Sequence, residues 1–172
     1  SRDVGFQILN SNGDLFLLGY FQSYRYLENE NVEKVMRSLA PKIISPKLSS
    51  LIRQAQDQKP VFLHFRLQDY LQERHFGIPN ANYYLKSLEI VGAESRKIWV
   101  FSDDKESAKK AMPSRYFSKC YFVEDSDLTP AEVFQLFRYG EDYVIANSSF
   151  SWWGASLSFS PTAKRSEEHT SE

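Results

Sequence analysis

The sequence predicts an α/β protein: a Rossmann-like parallel sheet with flanking helices. Three observations carry that reading. Short apolar runs recur at Val61-Phe62-Leu63-His64-Phe65, Ile98-Trp99-Val100-Phe101, Tyr121-Phe122-Val123 and Tyr143-Val144-Ile145-Ala146. Segments of helical spacing separate them, and this β-α alternation implies parallel strands joined by right-handed crossovers. Finally, three polar clusters, at 64–69, 102–104 and 147–151, sit where apolar runs end. Sheets of this class bind ligands beyond the C-terminal ends of their strands.

The first 24 residues hold two β-prone runs, Val4 to Leu9 and Leu15 to Tyr20, around Asn10-Ser11-Asn12-Gly13-Asp14, which reads as a hairpin or short strand pair. Helical spacing follows over 27–39 (Val32, Val35, Met36, Leu39) and 46–57 (Leu48, Leu51, Ile52), with Pro41 and Pro46 as punctuation. Lys59-Pro60 opens the alternating region. Its first strand is apolar almost throughout, as expected of a strand buried on both faces. A loop over 66–79 leads to a helix over 80–91, and Ser102-Asp103-Asp104 starts another over 105–112. Thr129-Pro130-Ala131-Glu132 is a capping box with proline in the first turn, so a helix runs over 130–139. The fourth strand breaks into Asn147-Ser148-Ser149-Phe150-Ser151, and the apolar run Trp152 to Leu157 resumes at helical spacing. The last eight residues, Arg165 to Glu172, abandon the apolar pattern and match the translation of a common sequencing adapter. The expected domain therefore covers 59–160, with 161–172 a tail, in a chain that reads as a fragment of a longer protein.

The chain has 172 residues, 42% hydrophobic and 25% charged, enough for one full core of ordinary soluble composition. A net charge of −1 opposes broad nucleic-acid binding, which needs a positive surface. Any bound anion must be held by local donors. The single cysteine excludes an intrachain disulfide and a CxxC metal knuckle. No GxGxxG, GxxxxGK[ST] or GxSxG pattern occurs, against dinucleotide dehydrogenases, P-loop enzymes and serine hydrolases.

A strand that turns into a helix through hydroxyl residues presents unpaired backbone N–H groups, a ready site for phosphate. The plainer reading is that Ser148 or Ser149 caps the helix and both tryptophans are core. Arg66 leaves a buried strand, where a permanent charge needs an anionic partner: a diphosphate that fits its fork, or Asp69 three residues on. His64 reads equally as a core histidine or a site residue. Asp104 is placed to cap a helix, while Asp103 suits a ribose or base, or with Asp104 a divalent metal.

Three blocks resemble the α-1,2-fucosyltransferase family: His64-Phe65-Arg66-Leu67-Gln68-Asp69-Tyr70, Phe101-Ser102-Asp103-Asp104 and Ile145-Ala146-Asn147-Ser148-Ser149-Phe150-Ser151-Trp152-Trp153-Gly154-Ala155. Gly19-Tyr20-Phe21-Gln22-Ser23 is similar to a piece found upstream in bacterial members. The resemblance implies a two-domain GT-B transferase, with 1–58 the end of its acceptor half and 59–160 most of the half that binds GDP-L-fucose. It implies that Arg66 grips the β-phosphate, that the helix start with Asn147, Ser148, Ser149 and Ser151 holds the diphosphate, and that Ser102 and Asp103 lie near the nucleoside. It further implies inverting transfer of L-fucose to the 2-hydroxyl of a galactose-containing glycan, without metal or other cofactor. Arg66, Asp69 and His64 are the catalytic candidates; whether a carboxylate such as Asp69 deprotonates the acceptor hydroxyl stays open, since nothing in the sequence places it against a sugar. Bacterial members imply a cytoplasmic location, compatible with peripheral attachment at the inner face of a membrane. Gln68 departs from the pattern, which usually has glycine before the aspartate. The competing reading is a catalytically silent GDP-sugar-binding domain, and related transferases of different linkage stay open. A receiver-like domain with Asp103 as phosphoacceptor fits poorly, because Asn147 follows the fourth strand where that class wants lysine.

Overall fold

The computed structural model describes residues 13–14, 23–28, 30–67, 81–146 and 148–167. The hairpin expected around Asn10 to Asp14 falls largely outside them. The chain divides into two compact units, Ser1–Leu39 and Ala40–Glu172. In the first, the helix expected over 27–39 is a 3-10 turn, Tyr24–Leu27, and a helix α1, Glu30–Ser38. Glu30 and Glu33 lie in its first turn and Arg37 in its last, complementing the helix dipole.

The second unit opens with α2, Pro46–Gln58. Ser45 Oγ accepts from the Leu48 amide at 3.1 Å, and Pro46 fills the first turn, where a missing N–H costs nothing. Its stripe of Leu48, Leu51 and Ala55 is buried against the sheet, so α2 stands with the sheet, and the boundary lies after Leu39 rather than at Pro60. The remaining elements follow in alternation: β1 (Val61–Phe65), α3 (Ala81–Ile90), β2 (Ile98–Ser102), α4 (Lys105–Ala111), β3 (Cys120–Phe122), α5 (Pro130–Phe137), β4 (Asp142–Ile145), α6 (Ser149–Ser156) and β5 (Lys164–Glu167).

All strand pairs are parallel, in the order β3-β2-β1-β4-β5. The chain moves outward from β1 to β3, then crosses back over β1 to place β4 on its other side. The strand order therefore reverses between β1 and β4, and a crevice opens at such a switch point. Alternation along β1 sorts its side chains. Val61, Leu63 and Phe65 join the core beneath α3 and α4, and Phe62 joins the core beneath α2, α5 and α6. Each such full burial is worth about 1.5–3 kcal/mol, so a five-residue strand buried on both faces is a strong anchor.

Strand β5 occupies part of the expected tail. It has no apolar run because it is an edge strand, and its seat is polar. Asp142 Oδ1 accepts from the Lys164 amide at 2.7 Å, and the Ser166 and Ser87 hydroxyls lie 2.9 Å apart. Helices α5 and α6 approach closely over Gly154, where a Cβ would sit 2.6 Å from Phe137 Cδ1. Arg138, wholly buried at the end of α5, ties that helix to the end of α6 through the Leu157 carbonyl at 3.1 Å.

Glu132 closes two helix ends. One oxygen accepts from the Thr129 amide at 3.0 Å, completing the capping box, and the other from the Ser45 amide at 2.9 Å, at the start of α2. These hydrogen bonds, those from Thr129 and then Ser45, hold its pKa down to about 2. A lowered folded-state pKa stabilises above the ordinary glutamate value of 4.5 and ceases to as pH falls toward 2. Thermal melts of Glu132→Gln should therefore fall below the parent at neutral pH, with a gap that closes on acidification through that window. A gap independent of pH contradicts this role.

Candidate functional site

The first turn of α6 is built differently from the other helix starts on its face. Helices α2, α5 and α6 all point their N-termini toward the C-terminal edge of the sheet. Those of α2 and α5 are closed by Ser45, Thr129 and the Glu132 carboxylate. Ser148 is the N-cap of α6, but its side chain makes no capping bond. The first intrahelical bond runs from the Trp152 amide to the Ser148 carbonyl at 2.9 Å. The amides of Ser149, Phe150 and Ser151 therefore stand ahead of the ladder, at the positive end of the helix. Asn147 lies outside the described residues. The Ser151 hydroxyl is fully buried and donates to the Ser148 carbonyl at 3.2 Å, so Ser151 offers the edge its amide rather than its side chain.

Arg66 follows β1 directly. Its expected local partner, Asp69, lies outside the described residues, and the structure supplies another. Arg66 Nη1 lies 3.2 Å from Asp103 Oδ2, while Asp103 Oδ1 accepts from the Leu67 amide at 2.9 Å. Asp103 thus pins both the guanidinium and the backbone leaving β1. This is a bracing task, and the nucleoside contact expected of Asp103 stays a proposal beside it. The Arg66 side chain is 39% exposed while Asp103 is 14% exposed, so the guanidinium reaches the surface where its carboxylate is sheltered. The Asp103-Asp104 pair is split. Asp104 caps α4, accepting from the Ser107 amide at 3.0 Å and the Ser107 hydroxyl at 2.7 Å, while Ser102 Oγ accepts from the Asp104 amide at 3.0 Å. Ser102 therefore braces the turn.

His64 links the two halves. Alternation turns it to the face of Phe62, where its ring lies 5.6 Å from Phe150 in the first turn of α6 and 5.9 Å from Phe137 in α5. Phe101 of β2 belongs to that same core, so alternation also brings Asp103, and with it Arg66, to the α6 side. Burial pushes the His64 pKa down to about 4, with Asp103 opposing that shift and Arg66 adding to it. The ring is therefore neutral at neutral pH. Its Nδ1 is buried and has no hydrogen-bond partner among the described residues. A buried polar atom left open at the rim of an unfilled amide cluster marks a place where a ligand atom can complete the pairing.

A positive helix end, a braced and partly exposed guanidinium and a neutral imidazole thus share the switch-point crevice on one face of the sheet. Together they can hold two linked anionic groups without a net positive surface. The structure brings Arg66, His64 and the α6 start, each singled out from sequence, to one edge of the sheet, and adds two contacts that the sequence did not point to. Phe150 carries the contact to His64, and its spacing from the helix start was the available signal. The role of Asp103 depends on the register of β1 with β2, Phe65 opposite Ser102, which the sequence alone does not specify.

Comparison with known proteins bears on the family and the fold. The family model described as glycosyl transferase family 11 matches residues 3–168. An alpha-1,2-colitosyltransferase of Escherichia coli is 29% identical over 154 residues, covering 84% of this chain and 52% of that protein. A crystal structure of POFUT1 in complex with GDP superposes with a TM-score of 0.50 at 12% identity, over 80% of this chain and 51% of the other. At that identity the likeness concerns the fold. The chain spans about half the length of both relatives. With its family model matched from end to end of the sheet, this chain belongs to glycosyl transferase family 11.

Proposed function

We propose that this chain is the donor-binding half of an inverting GT-B transferase that moves L-fucose from GDP-L-fucose to the 2-hydroxyl of a galactose-containing glycan. The observation that carries the proposal is the meeting of Arg66 and the open α6 start across the β1/β4 switch point, bridged by His64 and Phe150. The diphosphate sits between guanidinium and amides. As the bond to the sugar breaks, both stabilise the negative charge that builds on the departing nucleotide. Asp103 keeps the fork aimed and costs no reorganisation during the reaction. Neutral His64 offers Nδ1 to a phosphate oxygen or sugar hydroxyl. Asp69 is the carboxylate proposed to take the acceptor proton.

The linkage agrees with the name of the E. coli relative, which is described for colitose rather than fucose. Both sugars are accordingly tested as donors. The half-length match favours one alternative, a chain that binds the donor but completes no transfer without further acceptor-side sequence. The proposal places the protein in the cytoplasm, compatible with peripheral attachment at the inner face of a membrane. No helix among the described residues is long and apolar enough to cross a membrane.

GDP should raise the melting temperature. At a hundred times its Kd the stabilisation is about 2.7 kcal/mol, a shift of several degrees for a unit of this size. EDTA should not change the shift, since the proposed diphosphate partners are a guanidinium and amides. Loss of the shift in EDTA would place a metal at the diphosphate, and no shift with GDP at all would remove the donor site.

A further inference from the structure

The two strand ends that carry the site are gripped from the opposite face of the sheet by adjacent tyrosines in the first turn of α3. Tyr84 is buried with its ring 4.4 Å from Phe65, the residue before Arg66. The Tyr83 hydroxyl donates to the carbonyl of Ile145 at 2.5 Å, three residues before Ser148, the N-cap of α6. It also lies 3.2 Å from the Ser166 carbonyl of β5. The two rings meet edge to face at 5.2 Å. One helical turn therefore touches the last residue of β1 and the last residue of β4.

We infer that Tyr83 is a positioning residue, which holds the exit of β4 so that the α6 amides face Arg66 at the spacing a diphosphate requires. The inference rests on the reading of this edge as a GDP site. The physical reason is that Ile145 ends its strand: β1 pairs with β4 only as far as Leu63 opposite Val144, and Ile145 is paired on the β5 side alone, opposite Glu167. A side-chain donor at the Ile145 carbonyl adds a tie from α3 where the pairing with β1 has ended. The same donor reaches β5, which couples the edge strand to the turn.

Tyr83→Phe removes the hydroxyl and keeps the ring. Tyr143→Phe is the control, because the Tyr143 hydroxyl makes a buried bond of the same kind, 2.9 Å to the Phe137 carbonyl, nearer the opposite end of β4. By calorimetry with GDP, Tyr83→Phe should bind about fivefold more weakly, the worth of one hydrogen bond. Tyr143→Phe should lose thermal stability and keep its GDP affinity. Hydrogen exchange should quicken at the amides of 148–151 in Tyr83→Phe and not in the control. Parent-like GDP affinity in Tyr83→Phe, or equal loss in both variants, overturns the positioning role and leaves the site. Absence of GDP binding by the parent chain overturns both.

Discussion

Replacing Arg66 by alanine should weaken GDP binding by about a hundredfold while the chain still folds. A bidentate, charge-assisted pair with a phosphate is worth about 3 kcal/mol. The fold should tolerate the change because the side chain is 39% exposed and lies beyond the strand rather than in either core. Asp103 keeps its bond from the Leu67 amide, so the end of β1 stays anchored. Arg66→Lys should recover only part of the affinity, since a point charge cannot meet Asp103 and a phosphate in one plane. Calorimetric titration of GDP with a parallel thermal melt reads both effects. Parent-like affinity in a folded Arg66→Ala removes the guanidinium from the site.

Arg138→Ala should be the most destabilising single change, at about 3–5 kcal/mol. The side chain is wholly buried, donates to the Leu157 carbonyl at 3.1 Å and to Gln135 Oε1 at 3.0 Å, and its guanidinium lies 4.2 Å from the centre of the Phe159 ring. Truncation strands the Leu157 carbonyl in the interior and opens a cavity beneath the ring. The loss is a large share of the roughly 5–15 kcal/mol available to a domain. Chemical denaturation should show it as a fall in midpoint with little change in slope. Arg138 sits at the end of the sheet away from the site, so GDP affinity measured below the melting range should be retained. A loss under about 1 kcal/mol would show that the ties from α5 to α6 lie elsewhere.

The contrast between these two arginines shows what the sequence makes legible. Arg66 stands at the end of an apolar run, where a charge calls for an explanation, and the pattern finds it. Arg138 stands at the end of an amphipathic helix, where basic residues are common, and nothing local signals burial. The strands and helices of the second unit follow from their periods: β1 spans the expected residues, and the capping box of α5 forms through the same Thr129 and Glu132. The order of the strands, and hence the switch point, is set by packing between elements distant in sequence. For the same reason Asp103, distant in the chain, braces Arg66, and Glu132 caps a second helix. Strand β5 was not expected because from Arg165 onward its residues match a translated sequencing adapter and carry no apolar run. Asp69 and Asn147, named from sequence, lie outside the described residues and keep their roles as proposals.

The account turns on a diphosphate held between Arg66 and the first turn of α6. The most direct test is an amide and guanidinium shift map of the nitrogen-labelled chain titrated with GDP. The expected result is that the amides of Ser149, Phe150 and Ser151 and the Arg66 Nε signal move together and saturate at one GDP per chain, while signals from the α4 face stay in place. Saturable shifts that leave those four groups unmoved would contradict it.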